Sequence, residues 1–200
     1  MECTAIILAG GKSSRMGTNK ALLPIFDKTT IEHIVDCCKQ VADEVIVVTN
    51  NHEQYAFLNV PLVADTYKES GPLAGLEAGL QAAKHDKCFL VACDMPFINI
   101  EVMKLLVQHL DDYDAVLPSV DNQYHPLFAA YRKTCLAPIR KNLQEKMLRM
   151  VGIFDEVHTR ILTEDELLSV NDHIQNVFFN MNRPEEFKIA QKLESELKKG

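Results

Sequence analysis

The chain has 200 residues, of which 47% are hydrophobic and 24% charged, and its formal net charge is −7. This composition suits a globular protein with a substantial core and excludes an intrinsically disordered chain. The negative charge argues against general nucleic-acid binding, because neutralising many backbone phosphates requires a cationic face. No repeat, low-complexity tract or linker rich in Gly, Ser or Pro divides the sequence, so we predict a single domain over residues 1–200.

The sequence also predicts a cytoplasmic protein with reduced cysteines. The apolar run at residues 4–9 follows no basic leader and is too short for a secretory segment. No stretch reaches the roughly 20 apolar residues that span a bilayer, so we expect no membrane partner. The six cysteines include no C-x-x-C pair, and several fall in apolar runs, which indicates buried thiols rather than disulfides or a structural metal.

The first half of the chain alternates apolar strands with helices. Continuous apolar or β-branched runs predict strands over residues 4–9, 44–49, 60–64 and 88–93. The T-x-x-E pattern that begins at Thr29 predicts a helix to about residue 41, and further helices are predicted from Gly71 and over residues 100–110. This order predicts a three-layer, Rossmann-like α/β fold with a mostly parallel central sheet and helices on both faces.

The order of elements loosens after residue 114. We predict strands over residues 115–119, 126–131 and 156–162, a turn at 121–123, and helices over 134–147 and 184–198. In a mostly parallel sheet, ligands bind in the crevice beyond the carboxyl ends of the strands. The segments that follow the first and the fourth predicted strands should therefore face the same crevice.

The segment after the first strand, residues 8–20, has the composition of a polyphosphate-binding loop. It contains glycines, hydroxyl residues and the cations Lys12, Arg15 and Lys20, with no carboxylate among them. Glycine lets backbone N–H groups approach a ligand, and a helix start adds unpaired amides that favour phosphate. Arg15 would offer a planar fork and Lys20 a flexible point charge. The spacing matches neither the P-loop nor the dinucleotide glycine motif, and a simple turn is the alternative interpretation.

Asp94 is the candidate metal ligand. It follows the apolar strand predicted over residues 88–93 and precedes Met95-Pro96, which prevents the strand from continuing. A carboxylate at this place suits Mg²⁺, the hard cation that accompanies nucleotide phosphates. The alternative is that Asp94 caps the next helix, although Asn99 lies directly before that helix and is better placed as its cap.

Six short motifs occur in order along nearly the whole chain, between residues 6 and 187. They are L-A-G-G-x-S-x-R-M-G-x-x-K-x-L at 8–22, V-A-D at 63–65, G-P-L-A-G at 71–75, C-D-M-P at 93–96, H-P-L-F-A-x-Y at 125–131 and N-x-N-x-P-E-E at 180–186. Together they resemble the molybdenum cofactor guanylyltransferases, the MobA family. The resemblance implies a Mg²⁺-dependent transfer of GMP from GTP to molybdopterin carrying molybdenum, with release of pyrophosphate and formation of the guanine dinucleotide cofactor.

The resemblance also implies roles for individual residues. The nucleotide-binding positions are Leu8, Ala9, Gly10 and Gly11 in the loop, Lys20 at the phosphates, Asp65 at the nucleoside, and Asp94 at both nucleotide and metal. The catalytic candidates are Arg15, Lys20 and Asp94. The two cations would stabilise charge on the α-phosphate and the departing pyrophosphate, while Asp94 would fix the metal ion. No protein nucleophile is required, because the attacking group is the phosphate of the acceptor.

Recognition of the base and of the acceptor is less completely specified. Gly10 favours guanine, because guanylyl-transferring relatives resemble L-A-G-G and cytidylyl-transferring ones more often resemble L-A-A-G. An asparagine that the family has near the end of the second strand is replaced by an apolar residue around Val48, and the nearby Asn50 is its candidate substitute. Asn180 and Asn182 either hold the pterin or form the turn and cap before the last helix.

Three classes of function stay open on the sequence. The first is the guanylyltransferase, with GTP and a molybdopterin cofactor as substrates. The second keeps the chemistry but transfers a cytidylyl group or uses a sugar phosphate as acceptor. The third is a GTP-binding partner that docks on molybdoenzyme chaperones without turnover. His125, before Pro126, fits a structural role or an acceptor contact.

Overall fold

A computed structural model describes residues 2–10 and 19–197 and shows an α/β fold built on a mixed sheet. The strands are β1 (Thr4–Leu8), β2 (Pro24–Ile25), β3 (Lys28–Thr29), β4 (Glu44–Val48), β5 (Leu62–Val63), β6 (Lys87–Ala92), β7 (Ala115–Val120), β8 (Gln123–Tyr124), β9 (Phe128–Arg132) and β10 (Thr159–Leu162). The helices are α1 (Thr30–Cys38), α2 (His52–Tyr55), α3 (Gly71–Ala82), α4 (Ile100–Gln108), α5 (Leu136–Gln144), α6 (Glu164–Leu168), α7 (Ile174–Val177) and α8 (Pro184–Leu197).

The central sheet has the order β5-β4-β1-β6-β9-β7-β10, with β8 paired to β7 at one end. β1 is parallel to β4 and β6, β4 to β5, and β7 to β10. β9 alone in this row is antiparallel to both of its neighbours. The predicted mostly parallel sheet is confirmed, and β9 is its exception because the chain reverses at Asp121 and Asn122, which both have a positive φ, as a two-residue hairpin turn requires.

Side chains of the central strands alternate between two cores. Ile7 and Phe89 pack with α1 and α4 on one face of the sheet, whereas Ile6 and Leu90 pack with α3 and α5 on the other. All four side chains are fully buried. Strands covered on both faces are expected to be continuously apolar, which is the pattern that β1 and β6 show.

The predicted helix starts are confirmed by their caps. Thr29 and Glu32 form a complete capping box at the start of α1, and the Asn99 side chain accepts hydrogen bonds from the N–H groups of Glu101 and Val102 at the start of α4. Asn99 therefore caps this helix, and the interpretation of Asp94 as its cap is wrong.

Several predicted elements are shorter in the structure. The helix predicted to residue 41 ends at Cys38, the helix predicted over 134–147 is limited to Leu136–Gln144, and the strand predicted over 156–162 begins at Thr159. Lys146 has a φ of 59°, which takes the backbone out of the helical region just after α5. The first two predicted strands end one residue earlier than predicted.

A hairpin that the sequence did not predict joins the start of the chain to its last helix. β2 and β3 pair antiparallel through Phe26 and Asp27, and the Phe26 N–H donates to the Glu194 side chain of α8 at 2.9 Å. Ile25 from the hairpin also packs with Ala190 from α8. These contacts place the C-terminal helix beside the segment that follows the basic loop of residues 8–20.

In the described ranges, no helix is long and apolar enough to cross a membrane.

Candidate functional site

The carboxyl ends of four neighbouring parallel strands lie side by side at one edge of the sheet. Backbone hydrogen bonds continue past the strand ends, from the Ala9 N–H to the Val48 carbonyl at 2.9 Å and from the Cys93 N–H to the Leu8 carbonyl at 3.1 Å. The Thr49 N–H donates likewise to the Val63 carbonyl at 2.7 Å. The residues that follow β5, β4, β1 and β6 therefore line one crevice, with the start of the antiparallel β9 beside β6, as the topology of the sheet predicts.

Lys20 is held at this edge by the residue before it. The Asn19 side-chain amide donates to the Tyr55 hydroxyl at 2.7 Å and to the side-chain oxygen of Gln54 at 2.9 Å. The Asn19 side-chain oxygen accepts from the Ala21 N–H at 3.1 Å. Asn19 thereby caps the short 3-10 helix that begins with Lys20. The end of the basic loop is thus fixed to α2, and Lys20 projects from an anchored turn.

Asp94 lies two residues beyond β6 and within electrostatic reach of Lys20. Burial raises the pKa of the Asp94 carboxyl above its ordinary value, the charge of Lys20 opposes this shift, and the charge of Glu186 adds to it. A nearby cation helps to keep a partly buried carboxyl ionised, and an ionised carboxylate is a ligand for a divalent cation that accompanies a polyanion. The predicted juxtaposition of Lys20 and Asp94 is present in the structure.

The segment before α8 completes this group. The Asn182 side-chain oxygen accepts a hydrogen bond from the Lys20 ammonium at 2.8 Å, although the two residues are 162 positions apart. The Met181 N–H donates to the main-chain carbonyl of Asp94 at 2.9 Å. Asn182 is therefore brought to the site, whereas the Asn180 amide donates to the Phe178 carbonyl within its own turn at 3.1 Å.

Asp65 marks the far end of the crevice. One of its carboxylate oxygens accepts from the Asn50 amide at 2.9 Å, and the other is buried with no hydrogen-bond donor among the described residues. A buried acceptor without a donor is costly and is satisfied by a ligand or by water. The strands that precede Asp65 and Asp94 are three positions apart in the sheet. At a spacing of about 4.8 Å per strand these strands are separated by about 14 Å, the length scale of a nucleotide.

Among the loop residues, Leu8 and Ala9 are buried and Gly10 is exposed. A Cβ built on Gly10 meets no described atom within 4 Å, so the space beside this residue is open to a ligand. Three further loop residues lie outside the described residues. They are Gly11 and Arg15, which are predicted site residues, and Lys12.

Among the described residues, Asp94 is the carboxylate placed for a metal at this site, without a preformed cage of ligands. In residues 2–10 and 19–197, no three His, Cys, Asp or Glu side chains come together as a metal-binding group. Mg²⁺ commonly binds through one or two carboxylates together with substrate phosphates and water. The Asp94 carboxylate, beside the crevice, fits this mode of binding.

Sequence reasoning missed three residues that hold the site together. Asn19 and Tyr55 fix the turn that carries Lys20, and Glu186 accepts the N–H groups of Asn182 and Arg183. The signal for Glu186 was its place as the third residue of a helix, where a glutamate commonly bonds back to preceding amides. For Asn19 and Tyr55 no local signal exists, because their contact depends on tertiary packing.

His125 lies in the short connection between β8 and β9. Its ring is 4.2 Å from that of Phe178, and burial lowers the pKa of its imidazole, so the ring is neutral near pH 7. The Ala92 N–H donates to the Leu127 carbonyl at 3.0 Å, which ties this segment to the strand that ends in Asp94. The ring contact with Phe178 and the burial of the imidazole favour the structural interpretation of His125.

The chain is similar to proteins of one enzyme class over nearly its whole length. A family model described as a MobA-like NTP transferase domain matches residues 5–159. A "Molybdenum cofactor guanylyltransferase" of Desulfosudis oleivorans is 33% identical, and the alignment covers 94% of each chain. A "Probable molybdenum cofactor guanylyltransferase" of Carboxydothermus hydrogenoformans is 35% identical, with 95% of each chain covered.

Solved structures show the same fold. The crystal structure of "Molybdopterin-guanine dinucleotide biosynthesis protein A" from Archaeoglobus fulgidus superposes with a TM-score of 0.84 at 23% identity, covering 96% of this chain and 99% of that one. At this identity the match establishes the α/β fold, and the sequence relatives establish the family.

Proposed function

The chain belongs to the MobA-like NTP transferase family, and we propose that it transfers GMP from GTP to molybdopterin carrying molybdenum, releasing pyrophosphate and forming the guanine dinucleotide cofactor. The observation that carries this proposal is the meeting of Lys20, Asp94 and Asn182 at the carboxyl edge of the sheet. Each residue comes from a different part of the chain, and together they present a cation, a carboxylate and an amide to one crevice.

In this proposal the nucleotide lies across the strand ends. Asp65 and Asn50 hold the nucleoside, the backbone after β1 contacts the phosphates, and Lys20 stabilises negative charge on the α-phosphate and the leaving pyrophosphate. Arg15 adds a second cation from the loop. The acceptor phosphate attacks the α-phosphorus, the bond between the α-phosphorus and the bridging oxygen breaks, and pyrophosphate leaves. Positioning and charge stabilisation supply the catalysis.

Asp94 is the residue that would hold Mg²⁺ in this proposal. When bound, the ion neutralises phosphate charge and orients the triphosphate. The Asp94 carboxyl must lose its proton to act as a ligand, and the ammonium of Lys20 favours the deprotonated form despite the burial of the site. Lys20 thus stabilises the charge of the phosphates and also favours the ionised form of the Asp94 carboxyl.

We extend the proposal to the setting of the reaction. Residues 1–200 act as one nucleotidyltransferase domain in the cytoplasm, with GTP and the molybdopterin cofactor as substrates and molybdoenzyme chaperones as recipients of the product. Guanine is preferred over cytosine because the loop has Gly10 where a cytidylyl-transferring relative more often has alanine. Cytidylyl transfer and transfer to a sugar phosphate are the alternatives that keep the same site.

The test is pyrophosphate release from GTP or CTP, with Mg²⁺, in the presence of molybdopterin carrying molybdenum or of a sugar phosphate. We expect release only with GTP and the molybdopterin cofactor, and a loss of roughly a thousandfold in Asp94→Ala. Asp155→Asn removes an exposed carboxylate at the opposite edge of the sheet and should retain full activity. Equal turnover of GTP and CTP would refute the assignment of guanine as the preferred base. Binding of GTP without release of pyrophosphate would identify a non-catalytic protein. Full activity of Asp94→Ala would refute the assigned site.

A further inference from the structure

The segment at residues 180–183 connects the two sides of the candidate site. Its Met181 N–H bonds to the Asp94 carbonyl, and its Asn182 side chain bonds to the Lys20 ammonium. The position of this segment therefore decides where the Lys20 charge is held relative to Asp94. The segment itself has no regular secondary structure and is fixed by whatever binds its backbone.

Glu186 binds that backbone. One oxygen of its carboxylate accepts the Arg183 N–H at 2.8 Å and also the Asn182 N–H. Hydrogen bonds to an ionised carboxylate are stronger than those between neutral groups. The same carboxylate lies within electrostatic reach of Asp94, so it is part of the charge distribution of the crevice.

The backbone amides before α8 are bound differently from those before α1 and α6. In those helices a threonine side chain caps the helix while a glutamate three residues later bonds back, so that both partners serve the helix. Before α8 the corresponding position is Arg183, and Glu186 accepts both its N–H and the N–H of Asn182. The Asn182 side chain, one residue earlier, bonds to Lys20. Glu186 therefore fixes the backbone from which the Asn182 side chain reaches the site.

We propose that Glu186 is a positioning residue for nucleotidyl transfer, which acts by holding the backbone of Asn182 so that the Asn182 amide fixes the Lys20 ammonium in the crevice. The inference rests on the proposed function for its assay. It is separable from that function, because the role of Glu186 concerns the geometry of Lys20 whichever nucleotide is transferred.

The test combines single and double variants in the pyrophosphate assay. We expect Glu186→Ala and Asn182→Ala each to lower kcat/KM roughly tenfold, and the double variant to lose no more than Asn182→Ala alone. Glu186→Gln keeps a side-chain acceptor and should recover part of the activity. Glu185→Ala changes the exposed neighbour on the same helix and should stay within about twofold of wild type.

Three outcomes would overturn the inference. They are wild-type activity in Glu186→Ala, wild-type activity in Asn182→Ala, and losses that multiply in the double variant, because multiplied losses indicate a general contribution of Glu186 to stability rather than an effect through Asn182. Thermal unfolding of each variant shows whether it is folded at the assay temperature, and Glu186→Gln provides the comparison if Glu186→Ala is not. If the wild type prefers another nucleotide or acceptor, the same cycle is measured with that substrate, so a wrong substrate assignment and a wrong role for Glu186 give different results.

Discussion

At the scale of single residues, the site depends on a few side chains whose partners lie far away in sequence. Lys20 is anchored through Asn19 to Tyr55 and bonds to Asn182, so three separate segments determine the position of one ammonium group. Asp94 is buried enough for its pKa to rise, and Lys20 counteracts that rise. The ionised state of the Asp94 carboxyl therefore depends on the nearby Lys20 ammonium.

A substitution at Gly10 can test whether this residue lies close to the nucleotide, because the substitution should leave the stability of the protein almost unchanged. Its φ lies outside the left-handed range, and a Cβ there meets no described atom within 4 Å. We predict that Gly10→Ala changes the free energy of unfolding by less than about 0.5 kcal/mol. The added methyl group should nevertheless weaken GTP binding roughly tenfold, because it occupies the space where the nucleotide approaches the backbone.

The measurement is urea denaturation alongside GTP titration. CTP binding of the same variant is the comparison, since the loop would then match the sequence of cytidylyl-transferring relatives. Unchanged GTP affinity in Gly10→Ala would show that the nucleotide does not pass close to this residue.

At the scale of elements, the packing of α3 on the sheet requires glycine. A Cβ on Gly79 would lie close to Cγ2 of Ile6, inside van der Waals contact, and a Cβ on Gly75 would lie 2.9 Å from Cδ2 of Leu8. Cγ2 of Ile6 is attached directly to a branched Cβ and has little freedom to move, whereas the end of the Leu8 side chain can rotate. The two glycines therefore differ in how well they should tolerate substitution.

We predict that Gly79→Ala destabilises the protein by about 1–2 kcal/mol, because overpacking outweighs the gain of about 1 kcal/mol in helix propensity. Gly75→Ala should cost less, since the same propensity gain meets a more mobile neighbour. Urea unfolding midpoints of the two variants measure the difference. Equal or greater stability of Gly79→Ala would mean that α3 can shift away from β1 without loss of packing.

At the scale of the whole molecule, the site is assembled from both ends of the chain. One side of the crevice comes from the segments after β1, β4, β5 and β6, while Asn182 comes from the segment before α8. α8 is held in turn by the hairpin of β2 and β3 through Phe26 and Glu194. Nucleotide binding should therefore stabilise the folded molecule as a unit and not only the loop.

We predict a rise of roughly 5–10 °C in the unfolding temperature at a GTP concentration of about 100 Kd with Mg²⁺, which corresponds to about 2.7 kcal/mol of linked binding energy. The rise should shrink in Lys20→Ala and in Asp94→Ala, because each variant lacks a group that contacts the phosphates or holds the metal. Differential scanning calorimetry with and without GTP measures it. An equal rise in the Asp94 variant would place the nucleotide elsewhere on the protein.

Local pattern was sufficient to predict the fold class and the family. β1 and β6 are continuously apolar because helices cover both of their faces, and the capping box at Thr29 and Glu32 marks the start of α1. These patterns are formed by residues that are neighbours in the sequence, so they can be recognised without the tertiary structure. The β2–β3 hairpin carries a weaker signal, since two-residue strands have almost no periodicity. The antiparallel direction of β9 is not given by periodicity, which is the same for a strand of either direction.

The sequence by itself determined which chemical groups would form the site. A loop with cations and glycine after one strand, and a carboxylate after another, belong to the same edge of any parallel sheet, so the meeting of Lys20 and Asp94 followed from topology. The tertiary structure alone decided that Asn182 bonds to Lys20 and that the Met181 N–H bonds to the main-chain carbonyl of Asp94. The physical reason is that hydrogen bonds between residues so far apart in the chain depend on how the segment before α8 packs against the rest of the fold, and no local periodicity or spacing encodes that packing.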